Sequence, residues 1–411
     1  MRTRTQLLLV AFACAALVAP AVGTAGTSSP GPKLGPAVRH FDQSKTMSVP
    51  AREAKRALAG QRSALRRAVL AAETPPVGTT RTWLAYDDVN GLYFKDFTLK
   101  GVGPHIEIWV ADDLLFPPGD CRNGVRTEIT QADVDYFVNE FEQNMYPKES
   151  EVFAVPPDRD GTQTNPAYLP VVGGDQALLE QLLFPGNGER IVTFIDNVRD
   201  DNYYDTDNSQ GLPYIAGFFW SLFNELADRN VMSIDAFDWL HRTRANPPND
   251  PSSDLCESAP ARPFLYEATF AHEYQHLLEY YSDADETAWI NEGLADWAQT
   301  LTGYVDPSEP ITSQDFDSHI QCFLGWNEVE TPANPNPRQG GPENSLTLWG
   351  DQNFDHPAEI LCDYGAAYTF MELLAGRYGS EFMSALHRGQ ANGLAGLQEA
   401  LDAFDIPKTA R

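Results

Sequence analysis

The sequence predicts an α+β fold: a mixed β-sheet lobe over 79–262 followed by a mainly helical lobe over 263–411. Two observations carry this. Between Thr79 and Trp239 the chain shows short alternating or wholly apolar runs separated by turn residues, whereas after Cys256 the apolar spacing becomes helical almost to the end. No internal repeat interrupts that order, and strands followed by helices is the pattern of segregated α+β domains.

The N-terminus stands outside this body. Arg2 and Arg4 precede an apolar run from Leu7 to Val18, with small residues at Ala19, Ala21, Gly23 and Ala25. That pattern is a secretory signal peptide over 1–25, cleaved after Ala21 or Ala25. A transmembrane anchor fits less well because the run is short and ends at Pro20, and a lipid anchor on Cys14 is a weaker third reading. Residues 26–78 form a basic propeptide or linker. Their first half, 26–50, is rich in Gly, Pro and Ser and reads as disordered. "AREAKRALAGQRSALRRAVLAA" (51–72) reads as a basic helix.

The ordered body then begins near Thr79. Two alternating runs flank Asn90-Gly91, a strong hairpin signal, and "HIEIWVAD" supplies another strand. Thr130 can cap a helix from Gln131 to Met145 with Val134, Phe137, Val138 and Phe141 on one face. "RIVTFIDNV" (190–198) and "NVMSIDAFDW" (230–239) read as further strands. "RDDNYYDTDNSQG" (199–211) is crowded with oxygen donors but lacks the glycine that an EF-hand loop requires, so a solvated acidic loop is preferred to a Ca2+ site.

Beyond Cys14 the chain has Cys121, Cys256, Cys322 and Cys362, none in a C-x-x-C spacing. In an exported chain these suggest two disulfides, and Cys322–Cys362 with Cys121–Cys256 is the favoured pairing. Charge is divided along the chain: residues 1–81 carry 12 Lys/Arg against 3 Asp/Glu, and residues 82–411 carry 17 against 55. So acidic a body argues against nucleic acid or a stable anionic-membrane association. The basic segment could instead dock on it as an intramolecular inhibitor, or act only as a spacer.

"FAHEYQHLLEYY" (270–281) contains His272, Glu273 and His276 as H-E-x-x-H, in a stretch without Gly or Pro. On a helix, four residues advance the chain about 6 Å and turn it about 400°, so both imidazoles leave one face and can reach one Zn2+. Glu273 lies beside that face, placed to take a proton from a water in the metal's open position and pass it to a leaving amine. "AWINEGLADWAQ" (288–299) offers Glu292 as third ligand and, one turn on, Asp296 to orient a ligand imidazole. Glu279, Asp283, Asp285 and Glu286 remain alternatives for the third ligand. The spacing excludes a metzincin, since Glu279 and Ser282 stand where Gly and His are required.

"HEYQH" followed by "WINEGLAD" resembles the gluzincin metallopeptidases, especially secreted hyicolysin-like and thermolysin-like enzymes. The likeness covers about 170–390. It implies a two-lobed domain with a zinc site between the lobes and hydrolysis of polypeptide substrates. Glu292 follows His276 by 16 residues, a tight connection for this group, and no G-x-M-E-N segment supports the aminopeptidase branch. In such enzymes the helix after the zinc helices often carries a catalytic tyrosine, which maps onto "CDYGAAYTFMELLAGRYG". Tyr364 is the resulting oxyanion-donor candidate, with Tyr368 in reserve and His241, His319 and His356 as others. The expectation is a secreted zinc endopeptidase. A same-clan aminopeptidase and a non-catalytic zinc-containing binding protein are the alternatives.

Overall fold

The computed structural model describes residues 38–42, 74–207, 212, 214–313, 317–325, 344–350 and 360–410. The signal-peptide segment, the basic helix of 51–72, His356 and nearly all of the loop at 331–345 lie outside them.

Among the described residues the strands form one mixed sheet: β1 (Val38–Asp42), β2 (Thr80–Asp87), β3 (Gly91–Val102), β4 (Ile106–Ala111), β5 (Ile191–Asp196), β6 (Tyr214–Phe219) and β7 (Val231–Asp235). Their spatial order is β1-β6-β7-β5-β4-β3-β2. β2, β3 and β4 pair antiparallel, β4, β5 and β7 run parallel, and β6 returns antiparallel beside β7. The expected hairpin is present with Asp87 opposite Gly91. Its loop is closed by Asp87 Oδ1, which accepts from the Val89 and Asn90 amides, and Gly91 enters β3 with φ of 91°.

Two strands differ from expectation. β6 escaped the sequence reading because "YIAGFF", buried on both faces like β5, has a small Ala216-Gly217 pair that interrupts the apolar run marking such strands. β1 forms inside the stretch read as disordered, pairing in parallel along β6. Composition misses it because a strand added to an existing edge is held by backbone hydrogen bonds, which need no hydrophobic period of their own.

The principal helices are α1 (Gln131–Glu140), α2 (Tyr146–Val152), α3 (Leu265–Ser282), α4 (Ala288–Thr302), α5 (Ser318–Phe323), α6 (Ile360–Tyr378), α7 (Ser380–Arg388) and α8 (Leu394–Ala403). Thr130 caps α1 as expected, in a reciprocal box with Asp133. The helix does not stop at Met145. A π turn over Phe141–Met145 carries it into α2, keeping Phe141 and Met145 in the core on the side of Val134 and Phe137.

The sheet is covered on both faces. Ile106, Ile108, Ile191 and Ile195 face α1, the π turn after it and α3, whose Phe137, Phe141, Phe270 and Tyr274 fill that side. Trp109, Val192 and Phe194 face the opposite layer, where Trp83, Phe184, Phe223 and Leu226 pack. The molecule is thus α+β, with the helical region following the sheet. Cys121–Cys256 and Cys322–Cys362 are paired, with Cα separations of 6.1 and 4.7 Å, inside the range that disulfides span. Among the described residues no helix is long and apolar enough to cross a membrane.

Candidate metal centre

α3 is uninterrupted by Gly or Pro and lies against the sheet, so its polar residues are forced into the interior with its apolar ones. His272, Glu273 and His276 are all essentially inaccessible to solvent. Such groups must find partners, because burying an unpaired polar side chain costs several kcal/mol on the order-of-magnitude scale for apolar transfer.

A tight turn at 283–287 folds α4 back along α3, and α4 supplies those partners. His272 Nδ1 lies 2.8 Å from Asp296 Oδ1, and His276 Nδ1 lies 2.6 Å from Asn291 Oδ1. With each Nδ1 donating, each Nε2 presents its lone pair inward. The two Nε2 atoms are 3.0 Å apart, and Glu292 Oε2 sits 3.4 Å from the one on His272 and 3.2 Å from the one on His276. Three donor atoms bound at 2.0–2.1 Å in tetrahedral directions are about 3.3 Å from one another, so the spacing suits a single small cation. Buried Glu292 Oε2 has no hydrogen-bond donor of ordinary geometry among the described residues, which also favours a cation as its partner. His272, His276 and Glu292 are the His/Cys/Asp/Glu group among the described residues that could hold a metal ion.

The charges agree. Burial would raise the Glu292 carboxyl, but the facing His276 and His272 imidazoles outweigh it and hold Glu292 at about 2. Burial alone would lower His272, yet Asp296 and Glu292 lift it well above the ordinary range. Glu273 behaves oppositely. Desolvation pushes it up to about 7 despite the pull of His272 and His276, while Phe219 N–H of β6 donates to its Oε2 at 2.8 Å.

Asp296 stands where the sequence placed it, beside a ligand imidazole, but it has a second imidazole as well. His319 on α5 brings its Nδ1 to 2.9 Å from Asp296 Oδ2, and Gln299 Nε2 donates to Oδ1 at 2.8 Å. Asp296 thus links the His272 ring to that of His319, each through its Nδ1. Tyr364 on α6 packs over it, with ring centroids 4.7 Å apart, and its ring is 6.3 Å from that of His272. The Tyr368 hydroxyl is instead joined to Thr300 Oγ1 at 2.6 Å. His241 belongs to a separate cluster with Asp238 and Asp250.

Two glycines allow these helices to meet. A Cβ on Gly293 would lie 2.9 Å from Met371 Cγ and 3.1 Å from the Ala367 carbonyl oxygen, and one on Gly365 would run into the His319 carbonyl. The glycine after Glu292 is thus required by the close approach of α4 and α6.

The other ligand alternatives are occupied elsewhere. Glu279 Oε2 is 2.5 Å from His387 Nδ1 and 3.1 Å from Gln275 Nε2, and Glu286 accepts from the Gly393 amide. Asp283 and Asp285 are placed in the α3–α4 turn, outside the donor group. In the acidic loop, Asp200 accepts from the Tyr203 and Ile215 amides and Asn202 from Arg122, so these polar groups serve the fold.

Sequence reasoning missed Asn291, Gln299 and the Phe219 amide, and it named His319 as an oxyanion-donor candidate without its link to Asp296. Asn291 had a signal, since it precedes Glu292 in "NEG" and lies 15 residues from His276, whose ring it holds. The Phe219 amide and the contact of His319 with Asp296 had none, because both arrive from distant elements. Compared with known proteins, the chain matches no protein-family model and no curated sequence.

Proposed function

We propose that the chain is an exported zinc endopeptidase of gluzincin type. The observation that carries this reading is the convergence of His272, His276 and Glu292 with a separate buried carboxylate, Glu273, directly beside them. A structural metal site has no need of that fourth group, and closed structural sites use four protein ligands rather than three. The two disulfides are compatible with an oxidising, extracellular setting.

In this reading His272, His276 and Glu292 hold Zn2+, which when bound supplies Lewis acidity toward water and a peptide carbonyl. Asp296 and Asn291 fix the two ring orientations and keep each Nε2 unprotonated. Glu273, lifted to about 7 by desolvation, takes a proton from the attacking water and returns it to the leaving amine. The Phe219 amide holds one of its oxygens and so fixes the carboxylate's orientation. Tyr364 is the candidate donor toward developing charge on the carbonyl oxygen.

The test is metal analysis of the purified protein together with digestion of casein and short peptides, for wild type and Glu273→Gln. About one zinc per chain is expected in both. Hydrolysis should fall by several orders of magnitude in the variant, since its shape is kept and its base removed. Near-normal turnover by Glu273→Gln would reject the assigned base. A fully metallated wild type inert toward all peptides would turn the reading to a binding protein.

A further inference from the structure

We infer that the chain has a buried site for one small monovalent anion of the halide type, held by the guanidinium groups of Arg126 and Arg242. The inference is independent of the metal centre and of the peptidase reading.

The two arginines come from separate parts of the chain. Arg126 sits in a 3₁₀ turn, Val125–Thr127, and Arg242 ends a short helix, Trp239–Arg242, that packs against this turn. The Asp238 amide donates to the Arg126 carbonyl, and the Cys121–Cys256 disulfide ties together the segments on either side. Arg242 is wholly buried, with its Cζ 4.8 Å from the ring centroid of Phe237 and 5.3 Å from that of Tyr214. Arg126 is half-buried, which gives the site a way in from solvent.

Their donors are only partly used. Arg242 Nη1 donates to the Tyr214 hydroxyl at 3.0 Å. Its Nε and Nη2, and Nη1 of Arg126, are enclosed without a hydrogen-bond acceptor among the described residues. Asp238 does not supply one. Its Oδ1 faces His241 Nδ1 at 2.6 Å, and its Oδ2 stays 3.7 Å from Arg242 Nε, too far for a hydrogen bond. Arg122 shows the contrast, since Asp120 and Asn202 satisfy it.

Charge sets the valence of the missing partner. Two guanidinium groups, which keep their protons at any ordinary pH, meet one carboxylate on which His241 also draws. Burial, with the charges of Arg242 and Arg122, holds Arg126 below the ordinary arginine value despite Asp238, and Glu257 bears on it least. A buried charge left without a partner is strongly unfavourable. A water molecule would satisfy the N–H groups but not the charge, whereas a monovalent anion does both. Enclosure restricts the anion to one or a few atoms. A weakly hydrated guanidinium lined by aromatic rings suits weakly hydrated bromide or chloride better than fluoride. Sulfate or phosphate would bring a second negative charge that nothing here offsets.

The experiment uses the full chain, unfolded by heat in sodium bromide, chloride, fluoride or sulfate at matched ionic strength. General salt effects strengthen burial most with sulfate, so a halide site reverses the usual order. For an affinity on the order of 10 mM, 100 mM bromide should raise Tm by about 2 °C over 100 mM fluoride. Arg126→Gln should abolish that difference while leaving metal content unchanged. Asp238→Asn removes the competing carboxylate and should tighten bromide binding several-fold. Should either variant fail to fold, wild-type crystals soaked in 100 mM bromide carry the test alone, with an anomalous-scattering peak expected between Arg126 Nη1 and Arg242 Nη2.

The inference is overturned if that position shows water without anomalous signal, or if wild type and Arg126→Gln respond alike to the four salts. A peak that forms only in molar bromide, with no difference in Tm, marks an adventitious ion only and overturns it equally. None of these outcomes depends on whether the protein binds zinc or cleaves peptides.

Discussion

Replacing Asp296 by Asn should weaken metal binding by about 10–100-fold, the usual effect of losing an outer partner of a ligand histidine. Three donors converge on the two Asp296 oxygens: His272 Nδ1 and Gln299 Nε2, both at 2.8 Å from Oδ1, and His319 Nδ1 at 2.9 Å from Oδ2. An amide of the same shape keeps one acceptor and turns an N–H2 group toward the other side. Whichever way it sits, one imidazole must lose its bond or move its proton to Nε2. For His272 that move would occupy the lone pair facing His276 and Glu292. The affinity loss corresponds to roughly 1.4–2.7 kcal/mol. It should be measured by competition with a chromophoric chelator at neutral pH, with urea unfolding of the metal-free protein as control. His319→Gln leaves the His272 bond in place and should give an intermediate affinity. Asp296→Asn binding within twofold of wild type would refute the orienting role.

Three further outcomes follow from the packing and the charges. Gly217→Ala places a methyl 2.7 Å from Thr269 Cγ2 and 2.8 Å from Ile234 Cδ1, so it should cost about 1–3 kcal/mol in urea unfolding; no loss would mean that β6 is not tightly held. Burial raises Glu267 from 4.5 to about 7, although the Arg244 amide and Tyr136 hydroxyl donate to it. The native state therefore keeps a proton that the unfolded chain releases. The stability this contributes is present below pH 4.5 and lost as pH rises through 7. Glu267→Gln should gain on wild type by about 3 kcal/mol between pH 5 and pH 8; an unchanged difference at the two pH values would contradict the shift. Finally, Arg229 pairs with Glu107 where neither side chain is exposed, so Arg229→Met should destabilise by about 3–5 kcal/mol through the buried carboxylate left behind. A loss under 1 kcal/mol would show that a neighbour such as Arg81 takes over, and denaturation of the Arg81→Met double variant would then reveal it.

What the sequence determined alone were the features written in local spacing. The histidine pair, its adjacent glutamate and the Glu292–Asp296 step are helical intervals, so one geometric rule places them on shared faces. The hairpin at Asn90-Gly91, the capped helix at Thr130 and the order of strands before helices were legible for the same reason. The cysteine pairing favoured from the placement of four residues along the chain, one of three possible, agrees with the disulfides formed. Tertiary structure decided what no interval encodes. Glu292 rather than Glu279 or Glu286 joins the histidines because the tight turn aligns α4 with α3, while His387 and the Gly393 amide engage the other two. Asp296 is shared by His272 and His319, although 23 residues separate it from the latter. β6 was hidden because Ala216-Gly217 breaks its apolar run and both its faces are buried, and β1 carried no signal because backbone pairing holds it. Local pattern reports how a segment meets its own neighbours; the meeting of distant segments depends on the packed core that brings them together.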